Sequence, residues 1–532
     1  MAPPRPGRPA EDVHATDAPL ARLRVMLLDP RAHATILTAC AALILFARAG
    51  ASPLANYDDA FYAEKAKQML RTGDWLTPHF AGSVRLDNPP LFLWLMAMSF
   101  AVLGVNSFAA VLWSALAGVT CVALTHRLAR RLGSDAFESW AAALVLLATG
   151  YFLKYANHAM FDVFTTALFL AVILAYRRAW EGGRAPWAVV GLITGLGVLT
   201  KSALGLFPLV VVALHACWCR RVWRSLATGA WLAPLATIAV VLPWYGYQLV
   251  VNHDQFLSEH VGLLLLRNGL GVGLATSPHS SPFAYVRELC LIYWPWLPCA
   301  AYGLWIVARE SFAPATPYTS ASPVPREWKP RDSSRLLFTW VVVVLGVLSA
   351  AHEQKLWYAM SVFPALALLS ARALATWVPG ERLRARFVTW GFGLATAAGA
   401  FLALTPIGMP APRRPDIQAL AEAARSMVPE REAIQFSGAY YPAVAHQFVF
   451  YSDRSLVPDQ GELAPARTAL DHGRWALVER DRFPRLSPAR DRRYVPVVTA
   501  GDWMLVHAAP APAVVLGRNG PAATGARGVS PE

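Results

Sequence analysis

The chain has 532 residues, of which 55% are hydrophobic and only 15% are charged, and its formal net charge is +14. Soluble domains usually carry about 25% charged residues, so this composition excludes most soluble folds and indicates an integral membrane protein. Basic residues of membrane proteins collect in cytoplasmic loops, and the sequence has no zinc-finger spacing or RNA-binding motif. We therefore expect membrane lipids, and no nucleic acid, as partners.

Long apolar runs predict an all-α polytopic membrane protein. Residues 1–32 are polar, and the run that follows has no small-residue cleavage site, so it is expected to anchor the chain. Runs of spanning length begin near residues 33, 107, 138, 162, 186, 204, 229, 284, 335, 356 and 387, which predicts about eleven transmembrane helices. The shorter run Pro89 to Gly104 is expected to form a juxtamembrane or re-entrant helix on the outer face.

Arginine clusters predict which side of the membrane each loop occupies. With eleven spans, the N-terminal side holds Arg22, Arg24 and Arg31 together with the clusters Arg127–Arg131, Arg177–Arg184, Arg220–Arg224, Arg309–Arg335 and Arg372–Arg386. The positive-inside rule makes this side cytoplasmic. The chain after Thr405 is then expected on the periplasmic face.

Polarity changes along the chain predict four regions. Residues 1–32 form a cytoplasmic tail, residues 33–405 a transmembrane domain, residues 406–515 a small α/β domain and residues 516–532 a disordered tail rich in Ala, Pro and Gly. In the α/β domain a helix is expected over Asp416–Met427, followed by the short apolar runs Ala433–Phe436, Gln447–Tyr451, Trp475–Val478 and Tyr494–Val498.

Acids and isolated lysines collect on the predicted outer face, where ionisable groups are costly unless they are paired, hydrated or functional. Asp58 and Asp59 lie where a helix is expected to begin, and Asp162 lies at the start of a predicted span. Each carboxylate could therefore simply cap a helix N-terminus or stabilise the helix dipole. Lys201 and Lys355 interrupt apolar sequence, where they could anchor at the interface or bind an anionic phosphate.

The fourth outer loop adds potential metal ligands. It contains Glu259, His260, Arg267 and His279, and such a group is compatible with a divalent metal site. Carboxylates combined with cations at the membrane surface suit an amphiphile that carries a phosphate. The same groups could also line a transport path.

Several sequence motifs resemble those of a known protein family. The first outer loop contains Asp58-Asp59-Ala60-Phe61-Tyr62-Ala63-Glu64, Gly73-Asp74-Trp75-Leu76-Thr77-Pro78-His79 and Asp87-Asn88-Pro89-Pro90-Leu91. Later come Leu199-Thr200-Lys201, His279 with Pro282-Phe283-Ala284-Tyr285, and Lys355-Leu356 before Phe363-Pro364-Ala365-Leu366-Ala367-Leu368. Over about residues 35 to 370 the chain resembles the bacterial aminoarabinose lipid A transferase and protein mannosyltransferase family, membrane glycosyltransferases of the GT-C fold.

The resemblance implies roles for individual residues. Asp58 and Asp162 match the family's catalytic or substrate-orienting acids. The implied substrate-binding residues are Asp59, Tyr62, Lys201, Arg267 and Lys355, and the implied metal ligands are Asp87 and His279. Asp87-Asn88 replaces the Glu-Lys that is common in the family, which removes one cation from the donor phosphate region.

The implied function is transfer of a sugar from a polyprenyl phosphate donor at the periplasmic face of the bacterial inner membrane. The acceptor would be lipid A, another envelope glycan or a protein, and a divalent metal ion could assist. The resemblance also implies that the configuration at the anomeric carbon is inverted in a single displacement. The alternatives are a lipid-linked saccharide flippase or another transporter, which would place ionisable groups near the bilayer midplane, and an inactive assembly subunit.

Overall fold

The structure, a computed structural model, describes most of the chain. The residues described are 29–54, 58–262, 281–313, 328–404, 414–439, 444–459, 462–487, 494–508 and 514–515. They form two compact units. The membrane unit comprises the described residues of Met1–Ala51, Trp75–Thr77 and Arg85–Met409, and the C-terminal unit those of Ser52–Asp74, Pro78–Val84 and Pro410–Glu532.

The membrane unit is built from helices. Its α-helices are Pro30–Phe46, Leu91–Leu103, Ser107–Arg131, Ala136–Leu147, Gly150–Ala156, Phe161–Ala179, Arg184–Lys201, Phe207–Trp218, Val222–Thr228, Leu232–Val251, His253–Phe256, Ala284–Ile292, Leu297–Phe312, Pro330–Ala350, Phe363–Trp377 and Glu381–Leu404, and its 3₁₀ helices are Ser202–Leu206 and Leu356–Val362. Local sequence explains several helix starts. Asn106 and Asp135 accept hydrogen bonds from backbone N–H groups three residues later, as N-cap residues do.

The predicted mainly helical, multi-span architecture is confirmed. Within the described residues, five helical stretches are long and apolar enough to cross a membrane, or six if the bent pair Ala136–Leu147 and Gly150–Ala156 is one span. The count of eleven stays a prediction. The run that was predicted not to span forms the helix Leu91–Leu103. Its 13 residues extend about 20 Å, which is less than the thickness of a hydrocarbon core of about 30 Å.

Small residues allow helices of the membrane unit to pack closely. A Cβ atom on Gly303, in helix Leu297–Phe312, would lie 1.9 Å from the Leu369 carbonyl oxygen of helix Phe363–Trp377. The two backbones are therefore in direct contact at this position, and no larger residue fits without a shift of one helix.

The C-terminal unit contains a mixed six-stranded sheet. In spatial order its strands are Leu456–Val457, Ile434–Ser437, Ala476–Glu479, Trp503–His507, Val495–Ala500 and Val514–Val515. The first three are parallel to one another, and Trp503–His507 runs antiparallel to both of its neighbours. The helices of the unit are Asp58–Thr72, Pro415–Met427, Ala445–Ser452, Ala464–Asp471 and Phe483–Leu486, and a two-stranded ribbon joins His79–Phe80 to Ser83–Val84.

Alternating side chains of the central strands form a core on each face of this sheet. Leu477 and Leu505 face the larger core, whereas Val478 and Val506 face the smaller one. Phe80 of the ribbon is part of the larger core, and Phe61 of helix Asp58–Thr72 packs against it. The described residues of 52–74 and 78–84, a stretch that lies within the predicted transmembrane region 33–405, thus belong to the same compact unit as the sheet.

One predicted apolar run of this unit has a different structure. Gln447–Tyr451 lies inside the helix Ala445–Ser452 instead of forming a strand. After Gln447 the run is short and continuously apolar, so it lacks the alternation that separates a strand from a buried helix. Residues 1–28 of the predicted N-terminal tail and the predicted tail 516–532 lie outside the described residues.

We predict that Gly303→Ala destabilises the protein, because the added methyl group would meet the Leu369 carbonyl group. Overpacking of this kind costs about 1–3 kcal/mol. Gly346→Ala is the matched control, because a Cβ atom on this helical glycine would have no neighbouring atom within 4 Å. The control should leave stability unchanged or raise it by up to about 1 kcal/mol. Thermal unfolding of the detergent-solubilised protein measures both effects, and equal melting temperatures for the two variants would contradict the close packing.

Candidate active site

A buried ion pair lies at the centre of the candidate site. Asp162 is in the first turn of helix Phe161–Ala179, and Lys201 is the last residue of helix Arg184–Lys201. Lys201 Nζ donates to Asp162 Oδ1, and the two side chains are only 12% and 1% exposed. The second carboxylate oxygen, Asp162 Oδ2, is buried and has no hydrogen-bond partner among the residues described. Within the ion pair, Asp162 Oδ2 is therefore available to accept a hydrogen bond from another donor.

A reversal of the chain positions Lys201. Ser202 has φ of +47°, in the left-handed region that residues other than glycine rarely adopt. Beyond it the 3₁₀ helix Ser202–Leu206 folds back so closely that a Cβ atom on Gly205 would lie 2.2 Å from the Gly197 carbonyl carbon. Such a backbone conformation costs about 1–3 kcal/mol and is common at functional sites. Lys201 consequently occupies the turn between two helical segments.

Aromatic side chains complete a pocket around the pair. The pocket is lined by Asp162, Thr165, Thr166, Lys201, Leu204, Phe207, Trp357, Tyr358, Met360 and Ser361. Lys201 Nζ lies 4.9 Å from the centroid of the Tyr358 ring, and Lys355 Nζ lies 5.9 Å from the same ring. Tyr358 thus contacts two cations, and Lys355 also pairs with Glu353 at 2.7 Å. The structure brings three of the predicted residues, Asp162, Lys201 and Lys355, around one aromatic segment.

His260 connects this turn to the loop that carries Asp87. Its Nδ1 lies 2.9 Å from the Leu86 carbonyl oxygen, and its Nε2 lies 2.9 Å from the Tyr245 hydroxyl and 3.2 Å from the Ser202 hydroxyl. Burial lowers the pKa of His260, although its hydrogen bond to Leu86 opposes the shift. A neutral ring with a proton on Nδ1 donates to the Leu86 carbonyl oxygen, and the lone pair of Nε2 then accepts from the nearer hydroxyl group, that of Tyr245.

The predicted metal ligands are not assembled in the described part of the chain. Asp87 Oδ2 accepts a hydrogen bond from Asn88 Nδ2 at 2.8 Å. Among the residues described, no group of three His, Cys, Asp or Glu side chains is arranged to hold a metal ion. His279, the other predicted ligand, and Arg267, a predicted phosphate contact, both lie outside the described residues. The metal site therefore stays a prediction.

The predicted acids of the first loop lie in the C-terminal unit. Asp58 is the first residue of helix Asp58–Thr72, and Tyr62 donates a hydrogen bond from its hydroxyl to Asp58 Oδ1 at 3.3 Å, one turn later. Asp59 and Tyr62 are both buried. The three predicted residues are thus neighbours on the first two turns of one helix.

Sequence reasoning missed the aromatic and hydroxyl groups of the pocket. Trp357, Tyr358 and Tyr245 were not predicted as site residues, although each now contacts or lines the polar region. A signal was present for two of them, because Trp357 and Tyr358 closely follow Lys355. Aromatic residues beside an interfacial lysine are also typical of ordinary membrane anchoring, so the pattern does not identify a pocket on its own.

Comparison of the sequence with known proteins confirms the resemblance that the motifs predicted. Residues 87–247 match the family model described as dolichyl-phosphate-mannose-protein mannosyltransferase. A protein of Pseudomonas aeruginosa named undecaprenyl phosphate-alpha-4-amino-4-deoxy-L-arabinose arabinosyl transferase is 30% identical over 388 residues, which is 69% of this chain and 64% of the relative. A protein of the same name from Pseudomonas savastanoi pv. phaseolicola is 30% identical over 65% of this chain and 61% of its own length. The chain spans less than two thirds of the length of these relatives.

Comparison of the structure defines the fold. The crystal structure of ArnT from Cupriavidus metallidurans bound to undecaprenyl phosphate superposes with a TM-score of 0.67 at 16% identity, covering 89% of this chain and 97% of that one. This chain therefore shares the polytopic helical fold of that protein. In sequence, it is similar to the aminoarabinose transferases and to the family model of protein mannosyltransferases.

We predict that the Asp162 and Lys201 side chains depend on each other for stability. Lys201→Met leaves the Asp162 carboxylate buried without its cation, and loss of one partner of a buried pair typically costs about 3–5 kcal/mol. Lys201→Met combined with Asp162→Asn removes both charges and should restore most of the loss. The measurement is the free energy of unfolding of the single and double variants in detergent.

Lys355→Met is the matched control for this experiment. Its ion pair with Glu353 is partly exposed, at 39% and 30% for the two side chains. Such pairs contribute less than about 1 kcal/mol. If the effects of Lys201→Met and Asp162→Asn simply add in the double variant, the pairing of the two side chains is wrong.

Proposed function

We propose that this chain is a glycosyltransferase that transfers a sugar from a polyprenyl phosphate donor to an acceptor of the bacterial envelope. The observation that carries the proposal is the pocket in which the Asp162–Lys201 pair and Lys355 surround Tyr358. Cations beside an apolar, aromatic surface suit a ligand that is both anionic and lipid-like. A phosphate attached to a polyprenyl chain has both properties.

The names of the similar proteins support this choice of donor. The Pseudomonas aeruginosa relative is named for undecaprenyl phosphate-linked aminoarabinose, and the Cupriavidus metallidurans structure contains undecaprenyl phosphate. We propose an undecaprenyl-type phosphate as the lipid of the donor and lipid A as the first acceptor to test. Other envelope glycans and secreted proteins are the acceptors to test next.

In the proposed reaction the bond from the anomeric carbon to the phosphate oxygen breaks, while a bond to an acceptor oxygen forms on the opposite face of the sugar. Positive charge develops on the sugar, and negative charge develops on the departing phosphate. Lys201 and Lys355 stabilise that negative charge, since fixed cations in a water-poor site lower the barrier where charge develops. Arg267 is proposed to assist them. Inversion at the anomeric carbon follows from a single displacement.

Asp58 is proposed to activate or orient the acceptor. If the acceptor is a hydroxyl, Asp58 takes its proton as the new bond forms. If the acceptor is a phosphate monoester, which is already anionic, Asp58 orients it. Asp59 and Tyr62 are proposed to bind substrate beside Asp58, and Tyr62 already donates a hydrogen bond to that carboxylate.

The site is proposed to work at the periplasmic face of the inner membrane, with the N-terminus in the cytoplasm and the C-terminal unit in the periplasm. The distribution of arginines supports this orientation, because the helices Ser107–Arg131 and Phe161–Ala179 both carry arginines in their last turn. A divalent metal ion held by Asp87 and His279 remains part of the proposal. It would polarise phosphate oxygens, and no step described above depends on it.

The test is transfer of a radiolabelled sugar by the purified full-length chain in lipid vesicles. A panel of polyprenyl phosphate sugars is offered together with envelope extract, with and without a chelator. We expect transfer by the wild type and, for a hydroxyl acceptor, a loss of about 10²- to 10⁴-fold for Asp58→Asn, because a positioned base contributes that much. Asp254→Asn is the control, since the Asp254 side chain is fully exposed.

Two results would contradict the proposal. Wild-type protein that is folded and binds polyprenyl phosphate, yet transfers no sugar from any donor, would favour a transporter or an inactive subunit. Equal losses for Asp58→Asn and Asp254→Asn would show that Asp58 has no special role.

A further inference from the structure

The helix that begins at Asp58 buries a lysine for which the proposed reaction has no use. Lys67 is only 1% exposed. Its Nζ donates to the Phe450 carbonyl oxygen at 2.7 Å and to Asp453 Oδ1 at 2.7 Å, and it forms an ion pair with Glu64 one turn earlier. An ammonium group has three hydrogens, and three acceptors surround this one. The side chain is therefore held in a single position.

Asp453 is the charged partner that this lysine finds in a distant part of the chain. It follows helix Ala445–Ser452 with φ of +57°, a left-handed conformation that Asp tolerates better than most residues. Burial alone would raise the pKa of Asp453, but the neighbouring Arg71 and Lys67 hold that pKa below its usual value. The carboxylate is consequently charged at neutral pH and presents a fixed negative partner to Lys67.

Glu64 is the local partner of Lys67. Burial raises the pKa of its carboxyl group, although Lys67 opposes the shift. Asp453 is the long-range partner, because it comes from the segment after helix Ala445–Ser452, almost 400 residues along the chain from Lys67.

Aromatic contacts fix the first turns of the same helix. The Phe61 ring lies 4.9 Å from the Phe80 ring and 4.9 Å from the His446 ring, measured between centroids. Just before the helix, the Leu54 N–H group donates to the Tyr451 hydroxyl at 2.9 Å. The helix is thus attached along its length to residues of helix Ala445–Ser452.

We propose that Lys67 and Asp453 are positioning residues that hold Asp58 in place for the transfer reaction. This inference rests on the proposed function. A helix is rigid over the nine steps from Asp58 to Lys67, about 14 Å at 1.5 Å per residue, so fixing Lys67 fixes the direction in which the first turn projects. Helix Ala445–Ser452 and Asp453 would then set the geometry of the acid at position 58.

The first variants are Lys67→Met and Asp453→Asn. Lys67→Met keeps the length of the side chain and removes its charge, while Asp453→Asn keeps a residue that tolerates the left-handed backbone and removes the negative charge. Displacement of a reacting group by about 1 Å can cost about 100-fold in rate, so we expect turnover to fall by about 10- to 100-fold in each variant. Lys67→Arg keeps the charge and should recover part of the turnover.

Arg425→Gln is the matched control. Arg425 also pairs with Asp453, at 3.3 Å, but its side chain is 63% exposed. Exposed pairs contribute little, so turnover of this variant should stay within about threefold of the wild type.

Turnover is normalised to the number of polyprenyl phosphate binding sites titrated in the same sample, which separates positioning from loss of folded protein. The proposal predicts fewer turnovers per binding site and an unchanged dissociation constant for polyprenyl phosphate. Normal turnover per site in both Lys67→Met and Asp453→Asn, with only the number of sites reduced, would overturn it. Absence of transfer by the wild type would instead contradict the proposed function itself. If Lys67→Met does not fold, the turnover per binding site of Asp453→Asn alone tests the proposal.

Discussion

The ion pair between Asp162 and Lys201 is the interaction on which the candidate site depends. A carboxylate that is 1% exposed is stable in an apolar bundle only beside a cation, and a lysine at the end of an apolar helix needs an anion or water. Their contact brings the two opposite charges together inside the membrane unit, so that each compensates the other. The strained turn at Ser202 and the aromatic segment Leu356–Val362 surround that contact, so the pocket is organised by charge as much as by apolar packing.

The pair also sets a condition on the proposed binding of a phosphate in this pocket. Lys201 has a partner when the pocket contains no phosphate, so its charge is always compensated. A bound phosphate would compete with Asp162 for the ammonium group. A donor group of the ligand would then have to compensate the buried Asp162 carboxylate, whose Oδ2 atom has no hydrogen-bond partner among the described residues. Binding therefore exchanges one set of charge contacts for another.

Each of the two compact units contains an ion pair formed by a lysine with little exposed surface. In the membrane unit Lys201 meets a carboxylate inside the pocket. In the C-terminal unit Lys67 meets Asp453, which attaches the helix of Asp58 to the rest of that unit. Burial of a lysine is rare because its charge must be compensated. Both lysines are therefore compensated by a carboxylate from another segment of the chain.

Much of this architecture could be predicted from the sequence, because helical spans are encoded locally in apolar runs. Asp162 and Lys201 could be named individually, since each interrupts apolar sequence. Their direct contact could not be predicted, because the two residues are 39 positions apart and meet only through the packing of two helices. The grouping of residues 52–74 with the sheet was missed for the same reason. The run Gln447–Tyr451 became a helix because short apolar runs carry no period.

The most direct test of the Asp162–Lys201 pocket as the phosphate site is a cryo-electron microscopy structure of the full-length chain with a polyprenyl phosphate bound. We predict phosphate density in the pocket beside Tyr358, with the Lys201 ammonium group moved from Asp162 to the phosphate. Phosphate density elsewhere in the molecule, with Lys201 still paired to Asp162, would contradict this assignment.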